Sequence, residues 1–276
     1  MGGNIDPKTV EGFGEEWDAY DQSGLRPDEH QQLFDSYFAI FPFTELPTDA
    51  EGFDLGCGSG RWAMLVAPRV GRLHCIDPAP KALEVARRRL ADCRNVEFHL
   101  ASVDRIPLRD GSQDFGYSLG VLHHVPDAEA ALASCVRKLK PGAPFLLYLY
   151  YSLDNRPLPY RLLWRASDLL RKAISRMPFR ARKSITTLLA AGVYYPLART
   201  ARGLEGAGAS VRHFPLSAYR DASFYTMRTD ALDRFGTRLE KRFSRAQIED
   251  MMRSSGLENI TFSEQVPHWV ACGRKR

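Results

Sequence analysis

The sequence predicts an α/β protein built on a doubly wound, open sheet of mostly parallel strands, and three observations carry that expectation. From residue 51 to residue 151, short apolar runs alternate with helical patterns. The first of those runs, Gly52-Phe53-Asp54-Leu55, passes straight into glycines at 56, 58 and 60. The second ends in a carboxylate, Asp77, 21 positions after Gly56, where such sheets place an acceptor for ribose hydroxyls.

The elements follow in order. Residues 61–69 read as a short helix and residues 73–77 as a strand. Pro80 opens a helix with Leu83, Ala86 and Leu90 on one face. Residues 96–100 form a strand, and the Asp110-Gly111 turn leads into another at 114–118. A helix over 127–139 turns Leu132, Val136 and Leu139 inward and stops at Lys140-Pro141-Gly142. The continuously apolar and aromatic run 144–151 suits a strand covered on both faces. Right-handed crossovers then place a ligand crevice at the strands' carboxyl ends. The sheet resumes with a helix at 244–255, Gly256 past its end, and strands at 258–264 and 268–274 around Pro267. Roughly ninety residues, 152–243, exceed what a sheet connection needs. They read as a helical lid or substrate cap, so the chain divides into 1–151, an insertion at 152–243, and 244–276 completing the core.

At 276 residues the chain suits one domain with an elaboration, and its 44% hydrophobic and 26% charged residues are ordinary for a soluble protein. Five cysteines, at 57, 75, 93, 135 and 272, include no C-x-x-C pair and read as free thiols of a reducing compartment. With neither a signal peptide nor a spanning apolar run, a cytoplasmic location is expected. The net charge of +5 is local: from Arg156 to Arg202 there are nine Arg and two Lys against one acid, Asp168. Leu163, Ala166, Leu170, Ile174 and Met177 recur there at helical spacing, giving an amphipathic, basic helix. The favoured reading is a sheet-capping helix with arginines on its wet face. Contact with an anionic membrane surface, or arginines holding an acceptor's phosphate or carboxylate, remain open as lesser readings. A nucleic-acid partner is not expected, because no DNA- or RNA-reading module is present.

The glycine loop identifies the ligand class. A dinucleotide loop, G-x-G-x-x-G, would put its third glycine where Arg61 stands, and a P-loop would need a Lys after Gly60. Asp54 would repel a diphosphate at short range and suits a ligand carrying an ammonium group. The alternating glycines are expected to leave backbone N–H groups uncovered for that ligand. Asp54, Gly56, Gly58 and Gly60 match, position by position, the first motif of the class I S-adenosylmethionine-dependent methyltransferases, which this chain resembles over about 50–151 and more loosely over 244–276.

That resemblance implies a seven-stranded sheet whose last strand lies antiparallel between the fifth and sixth, with the helical insertion between strands five and six. It also implies S-adenosyl-L-methionine as cofactor, with Asp54, Gly56, Cys57, Gly58, Gly60, Asp77 and Pro78 around it. Asp77 reads equally as a helix N-cap before Pro80. Ser102 and Val103 stand in the family's adenine loop, Ser102 replacing a common Asp, and the neighbouring Asp104 reads as a solvated loop charge. Leu119 lies where relatives hold the cofactor's amino-acid end, just before the family's L-H-H-V segment, here Leu122 to Val125. His124, and after it His123, are candidates for a general base, against a purely structural role. Phe13, Trp17 and Tyr20 form a stripe that suits core packing, and Trp17 is also placed as a cover for the cofactor. Tyr219, Tyr225 and Arg228 are candidate contacts for a small-molecule acceptor such as a sugar, natural product or lipid-linked precursor. The expected activity is methyl transfer to oxygen or nitrogen. A non-catalytic cofactor-binding partner subunit is the alternative, and a dehydrogenase is disfavoured by the glycine spacing.

Overall fold

In the computed structural model, which describes residues 3–276, β1 (Glu51–Leu55), β2 (Arg72–Asp77), β3 (Val96–Leu100), β4 (Phe115–Leu119) and β5 (Pro144–Tyr148) run parallel. A hairpin of β6 (Leu257–Phe262) and β7 (Val270–Lys275) completes one seven-stranded sheet in the order β3-β2-β1-β4-β5-β7-β6. β7 is antiparallel to both neighbours, as the family resemblance implies. Winding reverses between β1 and β4, so the carboxyl ends of these two strands form the switch-point crevice.

Each face of the sheet carries a core. Phe53, Phe145 and Leu147 pack with Leu132 and Val136 of α5 (Ala128–Lys138), with Leu139 just past its end, and with Ile248 and Met252 of α10 (Arg245–Ser254). Phe115, Tyr117 and Leu146 pack on the opposite face with Leu83 and Leu90, from α4 (Pro80–Arg89) and its end, and with Phe34 and Phe38 from the region of α2 (Pro27–Tyr37). Successive residues of β5 are therefore buried on both sides, which explains its unbroken apolar run. Side-chain caps define the helix starts: Asp6 accepts from Thr9 N at 2.7 Å in α1 (Pro7–Ala19), and Asp127 accepts from Ala130 N at 3.0 Å in α5.

Two elements are shorter than expected. The helix expected over 61–69 is only α3 (Ala63–Val66) followed by a 3₁₀ turn, Ala67–Arg69, that contains Pro68, a residue with no N–H to continue the ladder. The strand expected over 144–151 ends at Tyr148, the last residue with partners on both sides, Leu119 and Val270. Tyr151 instead makes an isolated bridge with Phe243.

The chain resolves into two units: residues 3–22, 31–152 and 239–276 form the sheet unit, and residues 23–30 and 153–238 a helical one. The helical unit comprises α6 (Leu158–Ile174), α7 (Phe179–Leu189), a π-helical turn (Ala190–Tyr194), α8 (Tyr195–Gly206) and α9 (Phe224–Gly236), around Ile174, Ala198, Met227, Ala231 and Phe235. Glu29 ties the start of α9, accepting from Ser223 N at 2.9 Å and Thr226 Oγ1 at 2.7 Å. In α6 the expected orientation holds only in part: Ile174 is buried and Arg161 and Arg165 are exposed, but Leu163, Leu170 and, just past the helix, Met177 are exposed and Arg171 is buried. Arg171 donates to Asp168 Oδ1 at 2.6 Å and to Thr237 O at 2.9 Å, and Arg234 lies 5.0 Å over the Trp164 ring. Burial alone would raise the Asp168 pKa, but Arg171 and Lys172 together hold it below the usual range. Among the described residues no helix is long and apolar enough to cross a membrane, and all five cysteines are free thiols.

Candidate active site

The turn after β1 has Gly56, Gly58 and Gly60 all at positive φ, +75°, +53° and +74°, which any side chain would strain. A Cβ at Gly56 would strike Val121, and one at Gly58 would lie 2.9 Å from the Trp17 indole nitrogen. Trp17, on α1, is thus brought against the glycine loop. The uncovered N–H groups expected there are not found. Gly56 N and Cys57 N both donate to Ile76 O, at 2.7 and 3.2 Å, Gly58 N to Asp77 Oδ2 at 2.9 Å, and Gly60 N to Cys57 O at 2.8 Å. The close approach of β2 consumes the first three of these donors and the turn itself the fourth, so the loop has little affinity for a bare anion. The Cys57 side chain is buried away, its thiol pushed up by Cys75 and by burial.

Asp54 and Asp77 close the carboxyl ends of β1 and β2. Asp54 is 1% exposed, and its Oδ2 has no hydrogen-bond partner. Burial raises its pKa to about 8, with the Tyr117 hydroxyl pulling it partly back and Asp77 adding to the rise. Asp77 accepts from Gly58 N and from Ala79 N, the latter at 2.8 Å, so it serves the turn before Pro80 as well as the glycine loop. Burial raises its pKa to about 6 against these two bonds. A carboxylate has about four acceptor sites, so lone pairs remain for a ligand's hydroxyls. Pro78, half-buried, follows directly.

The loop after β3 holds a buried Val103 and a Ser102 hydroxyl that donates to Asp104 Oδ1 at 2.6 Å. Asp104 is an exposed loop charge, as expected, and Ser102 holds its pKa below the usual range. Leu119 ends β4, and Gly120 N donates to Tyr148 O at 3.0 Å. The turn that follows carries both histidines, buried, with ring centroids 3.9 Å apart. His124 Nδ1 donates to Leu239 O at 2.6 Å, which fixes the tautomer and leaves the lone pair on Nε2. His123 is held the other way round, with Nδ1 accepting from Tyr150 N at 3.4 Å and the ring stacked 3.9 Å from Tyr150. Burial drives its pKa well below the usual imidazole value. Phe13 of α1 packs 4.9 Å from the His124 ring.

Residues 53–147 match the sequence model of a family described as a methyltransferase domain. The match runs from within β1 into β5 and takes in the glycine loop and both histidines. Curated relatives agree: the chain is 34% identical over 105 residues to a ubiquinone biosynthesis O-methyltransferase of Thiobacillus denitrificans, covering 37% of this chain and 44% of that one. It is 34% identical over 93 residues to a malonyl-[acyl-carrier protein] O-methyltransferase of Serratia marcescens, covering 34% and 35%. These matches span about half or less of the relatives' length. In fold, the chain resembles an O-methyltransferase family protein from Burkholderia thailandensis with a TM-score of 0.56 at 16% identity, over 94% of this chain and 59% of that one.

The residues fit S-adenosylmethionine, the cofactor that the sequence resemblance implies. The orphaned buried Asp54 oxygen suits the cofactor's ammonium, Asp77 has acceptors left for ribose, and the donor-poor glycine loop has no use for a phosphate. The sequence alone did not single out Ser59, whose buried hydroxyl has no hydrogen-bond partner, nor Val121, Tyr150 and Leu239. Ser59 sits within the glycine motif and was legible there. Val121, Tyr150 and the Leu239 carbonyl act by packing or through the main chain, and no residue-type signal marks them. Tyr219, Tyr225 and Arg228 lie in the helical unit: Arg228 stacks 5.0 Å over the Tyr225 ring, and Tyr219 packs 5.5 Å from Tyr194.

Proposed function

We propose that this chain transfers a methyl group from S-adenosylmethionine to an oxygen or nitrogen atom of a small molecule. The carrying observation is the tautomer of His124. At the carboxyl edge of the methyltransferase domain, the Leu239 carbonyl keeps hydrogen on Nδ1 and the lone pair on Nε2, the state a general base needs. S-adenosylmethionine supplies, when bound, a methyl group already activated by positive sulfur. The chain's task is to orient, to exclude water and to take a proton from the acceptor. Asp77 would accept from ribose hydroxyls, Asp54 would face the ammonium, Ser102 and Val103 would border adenine, Leu119 the amino-acid end, and Trp17 would cover the loop. His123, neutral and stacked on Tyr150, supports the position of its neighbour. The names of the O-methyltransferase relatives favour an oxygen acceptor. Tyr219, Tyr225 and Arg228 belong to the proposal as acceptor contacts, which substitution would reveal as a raised acceptor KM at constant cofactor affinity.

The test is His124→Gln, assayed against a panel of phenol, hydroxyl and amine acceptors, with calorimetry for the cofactor and its demethylated product. Turnover is expected to fall about 10²–10⁴-fold with cofactor affinity held. Unchanged turnover would remove His124 from the reaction. A wild-type chain that binds cofactor yet methylates nothing in the panel would point instead to a cofactor-binding partner subunit.

A further inference from the structure

Helix α6 turns the wrong face outward for a helix whose only task is to complete a core. Residues advance 100° each around an α-helix, which places Leu158, Leu162 and Leu169 on one line and Leu163 and Leu170 on the next, with Ala166 and Ala173 between. These five leucines are 46–70% exposed. The opposite arc, Trp164, Asp168 and Arg171, faces the interior of the helical unit and is satisfied there by an ion pair, a carbonyl and a cation–π contact. The helix's single acid is thereby hidden, with its side chain 15% exposed. Along one edge of the leucine face stand Arg161, Arg165 and Lys172, all exposed, with Lys172 also reaching Asp168 Oδ2 at 3.1 Å. The outer surface of α6 is therefore a broad apolar strip with a purely cationic rim.

Water is a poor solvent for such a strip, and the rim selects what covers it. A second copy of this chain packed antiparallel would bring the same three cations toward each other. A strip about 25 Å long and about 10 Å wide also offers far less than the roughly 800 Å² per partner that a stable interface needs. A bilayer needs no matching area, admits leucines to the acyl boundary, and lets Arg and Lys reach lipid phosphates from stems laid along the apolar surface. We propose that α6 lies in the surface of an anionic membrane, with the leucines inserted and Arg161, Arg165 and Lys172 on the headgroups. This surface is additional to the methyl-transfer reading and stands whether or not that reading holds.

The experiment is flotation of the full-length protein with vesicles of phosphatidylcholine alone or containing 30% phosphatidylglycerol, at low and at 0.5 M salt. Wild type is expected to float with the anionic vesicles, at least tenfold more strongly than with zwitterionic ones, and to be released by salt. The pair Leu162→Glu and Leu169→Glu should abolish flotation at unchanged helicity and cofactor affinity, because both positions are exposed. The triple change Arg161→Gln, Arg165→Gln and Lys172→Gln should remove the preference for anionic lipid. Wild type that does not float, or a leucine variant that floats as well as wild type, overturns the proposal. So does a solution dimer that the leucine variant converts to monomer, which would assign the strip to a second copy.

Discussion

Asp54 is a buried carboxylate with one oxygen unsatisfied, held at a pKa of about 8 against an ordinary value of 3.8. Burying this carboxylate therefore carries a cost that a cationic ligand beside it would relieve. Asp54→Asn keeps the shape, removes the charge and takes away the ligand's partner. It should raise the melting temperature of the ligand-free protein by a few degrees at pH 8.5 and weaken cofactor binding by at least tenfold. Calorimetry and thermal melts read both, and a variant that bound cofactor as well as wild type would free Asp54 of its proposed role. At this scale the sequence was informative where chain geometry sets spacing: three glycines and a carboxylate at position 77 can only meet around one strand–turn–helix unit. It was misleading about the loop's N–H groups, because the acceptors for Gly56, Cys57 and Gly58, the Ile76 carbonyl and the Asp77 carboxylate, lie on a neighbouring strand whose approach no local motif encodes.

Among the elements, α10 shows a boundary that local chemistry fixes. Ser244 Oγ accepts from Gln247 N at 3.2 Å while Gln247 Oε1 accepts from Ser244 N at 2.9 Å, a reciprocal capping box on a helix that seats Ile248 and Met252 in the core. Ser244→Ala should cost about 1 kcal/mol, or roughly 2–4 °C in melting temperature, without touching cofactor affinity. A denaturant titration checks it, and a neutral result would mean that solvent satisfies the freed N–H. α6 teaches the reverse lesson. Its period was readable from Leu163, Leu170 and Ile174, but a hydrophobic pattern gives only the direction of the stripe. Which side is covered depends on partners such as Thr237 and Arg234, more than sixty residues away in the chain, and those draw Arg171 inward and leave Leu163 and Leu170 outside, while Ile174 is buried as expected.

For the whole molecule, alternation of strands and helices with right-handed crossovers was enough to anticipate the sheet, since few arrangements satisfy both constraints. The division between sheet and helical units was less legible, because residues 23–30 join the helical unit through Glu29, a contact with Ser223 and Thr226 that no nearby sequence announces. The sheet unit concentrates two carboxylates whose pKa values burial raises, Asp54 to about 8 and Asp77 to about 6. Between pH 4 and 8 the folded chain holds protons that the unfolded chain, titrating near 3.8, has released. Stability of the ligand-free protein from these groups is therefore greatest at low pH and is lost as pH rises through about 6 and then about 8. An ammonium beside Asp54 favours the ionised form, so cofactor binding should release protons near neutral pH and strengthen as pH rises. At a hundred times its Kd a ligand adds about 2.7 kcal/mol, on the order of 5 °C for a chain of this size. Melting curves with and without the demethylated cofactor, at pH 5.5, 7.0 and 8.5, should show an increment that grows with pH. Calorimetry at pH 7.0 in buffers of different ionisation enthalpy should show proton release. An increment independent of pH, with no proton exchanged, would mean that the cofactor's ammonium lies away from Asp54.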